Sequence, residues 1–335
     1  MYEYRRGAAR APEFVSGSWL NTAQPVTLAQ LWGQVMLVDI WDYSCGECLR
    51  TLPYVRQWER RYQARGLQVI SVHTPRFAFG REQTQVELAA AELDLTYPVL
   101  LDNDFQMWMA YKNRMWPTKY LIDRHGYLRY RYEGYGDYAA LEAALQGLLR
   151  EADPDVELPP VIEPAEAADR PGRSTPRPTP PLYAGLQGRA LGNPEGYAGV
   201  APIVYSLPTR RVDGAFYLAG AWQSSEQYLA YQGQTEGTVQ IPYEGEAVYA
   251  VLTPHVDVVE RMLHPRLVQV EVWQDEQPLG TQRQGTDLTA DGRLLVDRPR
   301  LYHLIRNPGF ERHEVTLRIK TRGFGFYTFS FSSGG

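Results

Sequence analysis

Long apolar runs in the first half of this chain give way to short alternating ones in the second. Residues 35–41, Val-Met-Leu-Val-Asp-Ile-Trp, are apolar at every position but Asp39. That is the pattern of a central strand buried on both faces. Residues 49–65 repeat apolar positions at three- and four-residue spacing, with Leu52, Val55, Trp58 and Tyr62 on one face and Arg56, Arg60, Arg61 and Gln63 on the other. This predicts a helix, with Pro53 loosening its first turn and Gly66 ending it. Residues 67–73 predict the next strand, parallel to the first by the right-handed crossover rule. A helix over 81–95, a strand over 97–101 and an Asp-capped helix over 102–111 follow. Residues 115–118 then feed a strand over 119–123, a turn at 124–126, a partner strand over 127–133 and a closing helix over 137–150. Upstream, Trp19-Leu20-Asn21 and Val26-Thr27-Leu28 flank a polar turn and suggest a hairpin. Residues 1–18 read as a polar, weakly ordered N-terminal leader.

Between 152 and 182 the pattern stops. Nine of the chain's 24 prolines fall in these 31 residues, among charged and hydroxyl side chains. Such a stretch is expected to be a semi-rigid linker that buries no core. After 183, alternating segments recur at 237–241, 247–252, 267–273, 293–296, 313–319 and 326–331, separated by glycine and charged turns. They predict an all-β sandwich of jelly-roll type over 183–335. The first domain is placed at 19–151.

Composition narrows the function. The chain has 335 residues, 44% hydrophobic and 22% charged, enough for two cores. Net charge is −5, and no basic stripe marks a nucleic-acid partner. No stretch is long and apolar enough for a membrane span, and no apolar segment follows the charged start as a secretory signal requires. As written, a cytoplasmic location is expected; an exported or anchored form would need upstream sequence. The six histidines are scattered, so a zinc site built on the two cysteines is not expected.

Those cysteines are Cys45 and Cys48, two residues apart at the junction of the first strand and first helix. A helix start favours a thiolate through its free N–H groups and dipole. Cys45, read as the more exposed, is assigned as the nucleophile that attacks a substrate disulfide, and Cys48 as the thiol that resolves the mixed disulfide. Asp39 is the one charge in an apolar strand, a costly placement unless it is paired or functional. It is assigned as the acceptor of the Cys48 proton. No cofactor beyond the Cys45–Cys48 disulfide is expected.

Residues 38–48, Val-Asp-Ile-Trp-Asp-Tyr-Ser-Cys-Gly-Glu-Cys, resemble the thioredoxin active-site segment. The wider pattern resembles the TlpA-like redoxins and the soluble region of DipZ-type cytochrome c biogenesis proteins. The matching pieces are Trp19-Leu20-Asn21-Thr22, Leu52-Pro53-Tyr54-Val55, Val72-His73-Thr74-Pro75, Asn113-Arg114-Met115-Trp116-Pro117 and Gly136-Asp137-Tyr138. In that family a sandwich resembling a carbohydrate-binding module follows, matched here by residues 301–305 and 327–331. The resemblance implies an α/β thioredoxin-like domain and an extracytoplasmic setting. It also implies a cis Pro117 facing the disulfide, with Trp116, Pro117 and Trp41 contacting substrate. Gly46 and Glu47 replace the usual Gly-Pro and are assigned to redox tuning. Arg76 and Tyr135 stand where the family usually carries acids.

The function expected is thiol–disulfide exchange with protein thiols and disulfides, fed by an electron donor, with cytochrome c maturation as one setting. One alternative is a binding protein whose sandwich recognises a glycan or a protein, with Trp222, Tyr228, Trp273 and Tyr302 as stacking candidates. Another is a thiol peroxidase, although Asp42 stands where its Thr should be. His73, at a strand end, is expected to be structural.

Overall fold

The computed structural model describes residues 1–335 apart from 8, 16, 164–175, 200 and 335. It divides into two units, Met1–Arg173 and Ser174–Gly335. In the first, strands β1 (Tyr2–Glu3), β2 (Trp19–Leu20), β3 (Val35–Trp41), β4 (Leu67–His73), β5 (Val99–Leu101), β6 (Thr118–Ile122) and β7 (Leu128–Glu133) form one sheet. Its order is β1-β7-β6-β3-β4-β5-β2. Helices α1 (Gly46–Tyr62), α2 (Gln83–Glu92), α3 (Gln106–Ala110) and α4 (Tyr138–Ala152) connect or follow the strands. β3 is central and buried at all seven positions, as its unbroken apolar run requires. It runs parallel to β4, from Val35 opposite Leu67 to Trp41 opposite His73, and antiparallel to β6. This is a thioredoxin-like α/β arrangement, and it brings the end of β3, the start of α1 and the start of β6 to one edge of the sheet.

Several expectations need correction. Residues 1–18 are not a loose leader. β1 pairs with β7, the Tyr4 N–H donates to the Arg129 carbonyl at 2.8 Å, and Ala11 and Phe14 are buried. The predicted hairpin at 19–28 is absent: β2 pairs antiparallel with β5, an open sheet edge. Asn21, at φ 59°, then turns the chain and donates to the Leu95 carbonyl at 2.7 Å. α1 starts three residues earlier than its apolar spacing suggests and runs through Pro53. Gly66, at φ 90°, closes the turn that follows. The proline-rich stretch is not uniformly free. The Gln146 side chain donates to the Pro159 carbonyl at 2.7 Å, and the Ile162 N–H donates to buried Glu142 at 2.9 Å. The middle of that stretch, 164–175, lies outside the described residues.

In the second unit the named strands pair antiparallel, with one isolated parallel bridge, Leu191 to Phe216, among the described residues. Its strands among the described residues are β8 (Leu182–Tyr183), β9 (Ile203–Tyr205), β10 (Tyr217–Ser224), β11 (Leu229–Tyr231), β12 (Gly237–Thr253), β13 (Val268–Gln274), β14 (Gln277–Pro278), β15 (Arg293–Val296), β16 (Arg300–Ile319) and β17 (Gly325–Ser332), accompanied by a short α-helix, α5 (Val258–Leu263). Where alternation predicts separate strands at 237–241 and 247–252, the chain forms one strand, β12. It passes a bulge at Gly245–Ala247 and pairs along its length with β16. The bulge lets β12 change neighbours, from β10 at residues 238–240 to β17 at residues 247–253. The strands therefore connect as one large sheet around an aromatic-rich core that includes Trp222, Tyr231, Tyr243 and Phe329.

Candidate active site

Cys45 is the N-cap of α1. Its backbone is extended, and its sulfur accepts the Cys48 N–H at 3.2 Å. The loop before it is fixed by the Cys45 N–H bond to the Asp42 carbonyl at 3.1 Å. Cys45 and Cys48 form a disulfide with Cα atoms 5.2 Å apart. Both are buried, at 1% and 0% exposure, so Cys45 is not distinguished by accessibility. What distinguishes it is the cap: its sulfur meets the free N–H groups that stabilise a thiolate. Gly46 and Glu47 form the first turn, half-buried, and a Glu47 carboxylate oxygen lies 3.6 Å from the Cys45 sulfur. A negative charge there disfavours the thiolate and so favours the disulfide. Glu47→Gln is expected to raise the potential of the couple by about 30 mV in a glutathione titration. A fall would contradict this.

Asp39 is wholly buried in β3, but it is not alone. Lys119, directly opposite on β6, is equally buried and holds its ammonium 3.0 Å from Asp39 Oδ1. Lys119 Nζ also donates to Thr51 Oγ1 at 2.8 Å, and Thr51 donates to the Cys48 carbonyl at 3.0 Å. Neither Asp39 oxygen has a directed hydrogen bond among the described residues, so the contact is an ion pair that leaves acceptor capacity free. Ser71 stands across β3 from the same position with its own hydroxyl unpartnered among them. A polar row thus crosses the sheet beneath α1. Sequence reading missed Lys119 because nothing local marks its partner.

It also missed Asp42. This carboxylate is fully buried and ties the cysteine loop to the loop after β4. Oδ1 accepts from the Ser44 N–H at 2.7 Å and from the Ser44 hydroxyl, and Oδ2 accepts from the Arg76 N–H at 3.0 Å. His73 Nε2 lies 3.4 Å from Oδ2, and the His73 ring stacks on Tyr43. Burial pushes the Asp42 carboxyl up, but His73, Ser44 and Arg76 outweigh it and hold it below the ordinary value. Its stabilising contribution is therefore complete above the ordinary carboxylate range and is lost as pH falls through the depressed folded value. Asp42→Asn is expected to be less stable at pH 7, with the gap to wild type narrowing below about pH 4 in acid-unfolding curves. A gap constant down to pH 2 would refute this assignment. His73 is buried, as expected of a structural residue.

The Trp116–Pro117 peptide is cis. The register that pairs Ile40 with Thr118 puts Pro117 at the end of β6 nearest the disulfide, and its carbonyl accepts the Gly134 N–H at 2.8 Å. Trp116 is half-buried, its indole N–H donates to the Thr74 carbonyl at 3.0 Å, and its ring packs 4.1 Å from that of Trp108. Trp41 is a correction: it is wholly buried edge-on against His73 and offers substrate no surface. The contact comes from His73 at the end of β4, and the N–H of the next residue, Thr74, donates to the Trp41 carbonyl at 3.0 Å. In the second unit Trp222 and Tyr302 are core residues, not stacking platforms. Tyr228 and Trp273 are half-buried, against Tyr327 and beneath Arg318 respectively.

A disulfide capping the helix that follows a central strand, beside a cis proline, defines a thioredoxin-like redox protein. Residues 7–145 match the family model described as Redoxin, and residues 179–332 match one described as Thioredoxin like C-terminal domain. The thiol-disulfide oxidoreductase YkuV of Bacillus subtilis is 32% identical over 137 residues, which are 41% of this chain and 90% of YkuV. Protein DipZ of Mycobacterium tuberculosis is 36% identical over 254 residues, 70% of this chain and 33% of DipZ. This chain thus spans about a third of that relative's length. A solved thioredoxin-like protein in its oxidized form is 31% identical, covering 43% of this chain and 97% of its own, with a TM-score of 0.39. The chain belongs to the thiol-disulfide oxidoreductases. Among the described residues, no helix is long and apolar enough to cross a membrane.

Proposed function

We propose that this chain exchanges its Cys45–Cys48 dithiol with disulfides of protein substrates. The observation that carries the reading is the Cys45 sulfur capping α1 while bonded to Cys48, above the buried Asp39–Lys119 pair. Reduced Cys45 attacks one substrate sulfur as a thiolate, and the other substrate sulfur leaves with the electron pair. Cys48 passes its proton toward Asp39, attacks Cys45 and releases the second substrate thiolate. The protein ends oxidised and the substrate reduced by two electrons. The resemblance to redoxins of cytochrome c biogenesis supports cysteine pairs of exported proteins, apocytochrome c among them, as substrates.

Insulin reduction driven by dithiothreitol tests this. Wild type is expected to accelerate precipitation of the insulin B chain, and Cys45→Ser to return it to the uncatalysed rate. No acceleration by wild type would refute the proposal.

A further inference from the structure

We infer that Asp102 is a positioning residue for the exchange reaction: through Thr74 and α3 it sets the Trp116 indole, the ring before Pro117 that an entering substrate chain meets. The inference rests on the exchange reading above. Asp102 directly follows β5 and is 2% exposed. Its carboxylate serves two arms that both end on Trp116. In the first, the Thr74 hydroxyl donates to Asp102 Oδ2 at 3.0 Å, and the Thr74 carbonyl accepts the Trp116 indole N–H at 3.0 Å. In the second, Asp102 Oδ1 accepts the Met107 N–H at 2.9 Å, and Oδ2 accepts the Trp108 N–H at 3.0 Å. The Trp108 ring centre in turn lies 4.1 Å from that of Trp116.

Helix α3 depends on this carboxylate. It is five residues long, and its N-cap, Phe105, offers no side-chain acceptor to the free N–H groups of the first turn. Phe105 is also held at φ 58°, a left-handed conformation that a bulky residue rarely adopts. Asp102 brackets it: the Asp102 carbonyl accepts the Phe105 N–H at 3.1 Å, while its side chain takes the N–H groups of Met107 and Trp108. The Asp102 N–H donates to the His73 carbonyl at 2.8 Å, which ties the segment to the end of β4. The backbone next to Trp116 is fixed separately. The Asn113 side chain and the Thr118 hydroxyl both donate to the Met115 carbonyl, at 3.0 Å and 2.8 Å. Loss of the Asp102 carboxylate is therefore expected to move the indole more than the chain that carries it. A displacement of about 1 Å is enough to slow a reaction that depends on a placed partner.

The test compares the full chain as wild type, Asp102→Ala, Trp116→Ala and the double variant. One rate is that of the reduced protein with insulin. Cys45 attacks an insulin disulfide and Cys48 resolves the mixed disulfide, so the protein dithiol is oxidised and the insulin disulfide is reduced to two thiols. The other is the rate at which dithiothreitol reduces the oxidised protein, itself becoming a cyclic disulfide; so small a reagent needs no wall. Asp102→Ala is expected to slow the insulin reaction ~10-fold and the dithiothreitol reaction less than about twofold. In the Trp116→Ala background it is expected to add nothing to the insulin loss. The indole N–H resonance of Trp116, identified by its disappearance in Trp116→Phe, is expected to shift in Asp102→Ala. If Asp102→Ala does not fold, Thr74→Val takes its place in the same comparisons, because it removes the hydroxyl arm and keeps the side chain's shape; its expected loss with insulin is ~3-fold. An unchanged insulin rate, equal losses with both reagents, or additive losses in the double variant overturns the inference and leaves exchange standing. No reaction of wild type with insulin overturns both.

Discussion

Replacing Lys119 with methionine is expected to cost about 3–5 kcal/mol of stability, because it leaves the Asp39 carboxylate buried without its cation. Lys119 and Asp39 are both fully buried, face each other across β3 and β6, and lie 3.0 Å apart. A buried ion pair gains little over apolar packing of the same volume, but half a pair is costly. Asp39→Leu with Lys119→Met is therefore expected to recover most of the loss. Denaturant unfolding of the two single variants and the double measures this directly. If the double variant lost as much as the sum of the singles, the two side chains would not be coupled. The double variant also separates folding from chemistry. On the proposed mechanism Asp39 accepts the Cys48 proton, so resolution of the mixed disulfide is expected to slow by ~10²-fold in the folded double variant.

The second large effect concerns the order of the two cysteines. If Cys45 attacks and Cys48 resolves, Cys45→Ser should lower exchange to the uncatalysed rate, a loss of at least ~10³-fold. Cys48→Ser should still attack once and then stop. The cap geometry gives the reason: among the described residues the Cys45 sulfur accepts an N–H of the first helical turn, at 3.2 Å, where a helix end would favour a thiolate once the disulfide is reduced. Exposure supplies no such reason, since both sulfurs are buried. Access to Cys45 therefore requires the half-buried rim of Gly46, Glu47 and Trp116 to admit the substrate.

How much of this was legible from the residues alone depended on how local the signal was. β3, α1 and the cysteine spacing are short-range patterns, and each could be read. Asp39 could be read because a charge stands out in an apolar strand. Lys119 could not, since it belongs to a strand far along the chain and only the β3–β6 register brings the two together. Asp42 could not be read as a site residue, because its partners, His73 and the Arg76 N–H, arrive from the end of β4 and the loop after it. Trp41 was misjudged for the same reason: it is buried against His73 of β4, not by its neighbours in sequence. The N-terminal residues are polar enough to read as a leader, yet β7 offers them a free edge. In the second unit, Pro242 and Gly245 interrupt the alternation of β12, while the ladder to β16 continues across the bulge.

The most direct measurement is the mass of the adduct formed when Cys48→Ser meets one equivalent of a peptide disulfide. A covalent complex with one peptide attached at Cys45, absent when Cys45→Ser is used instead, is the predicted result. Equal adduct formation through Cys48 in the Cys45→Ser protein, or no adduct with either, would contradict the assignment of Cys45 as the attacking thiolate.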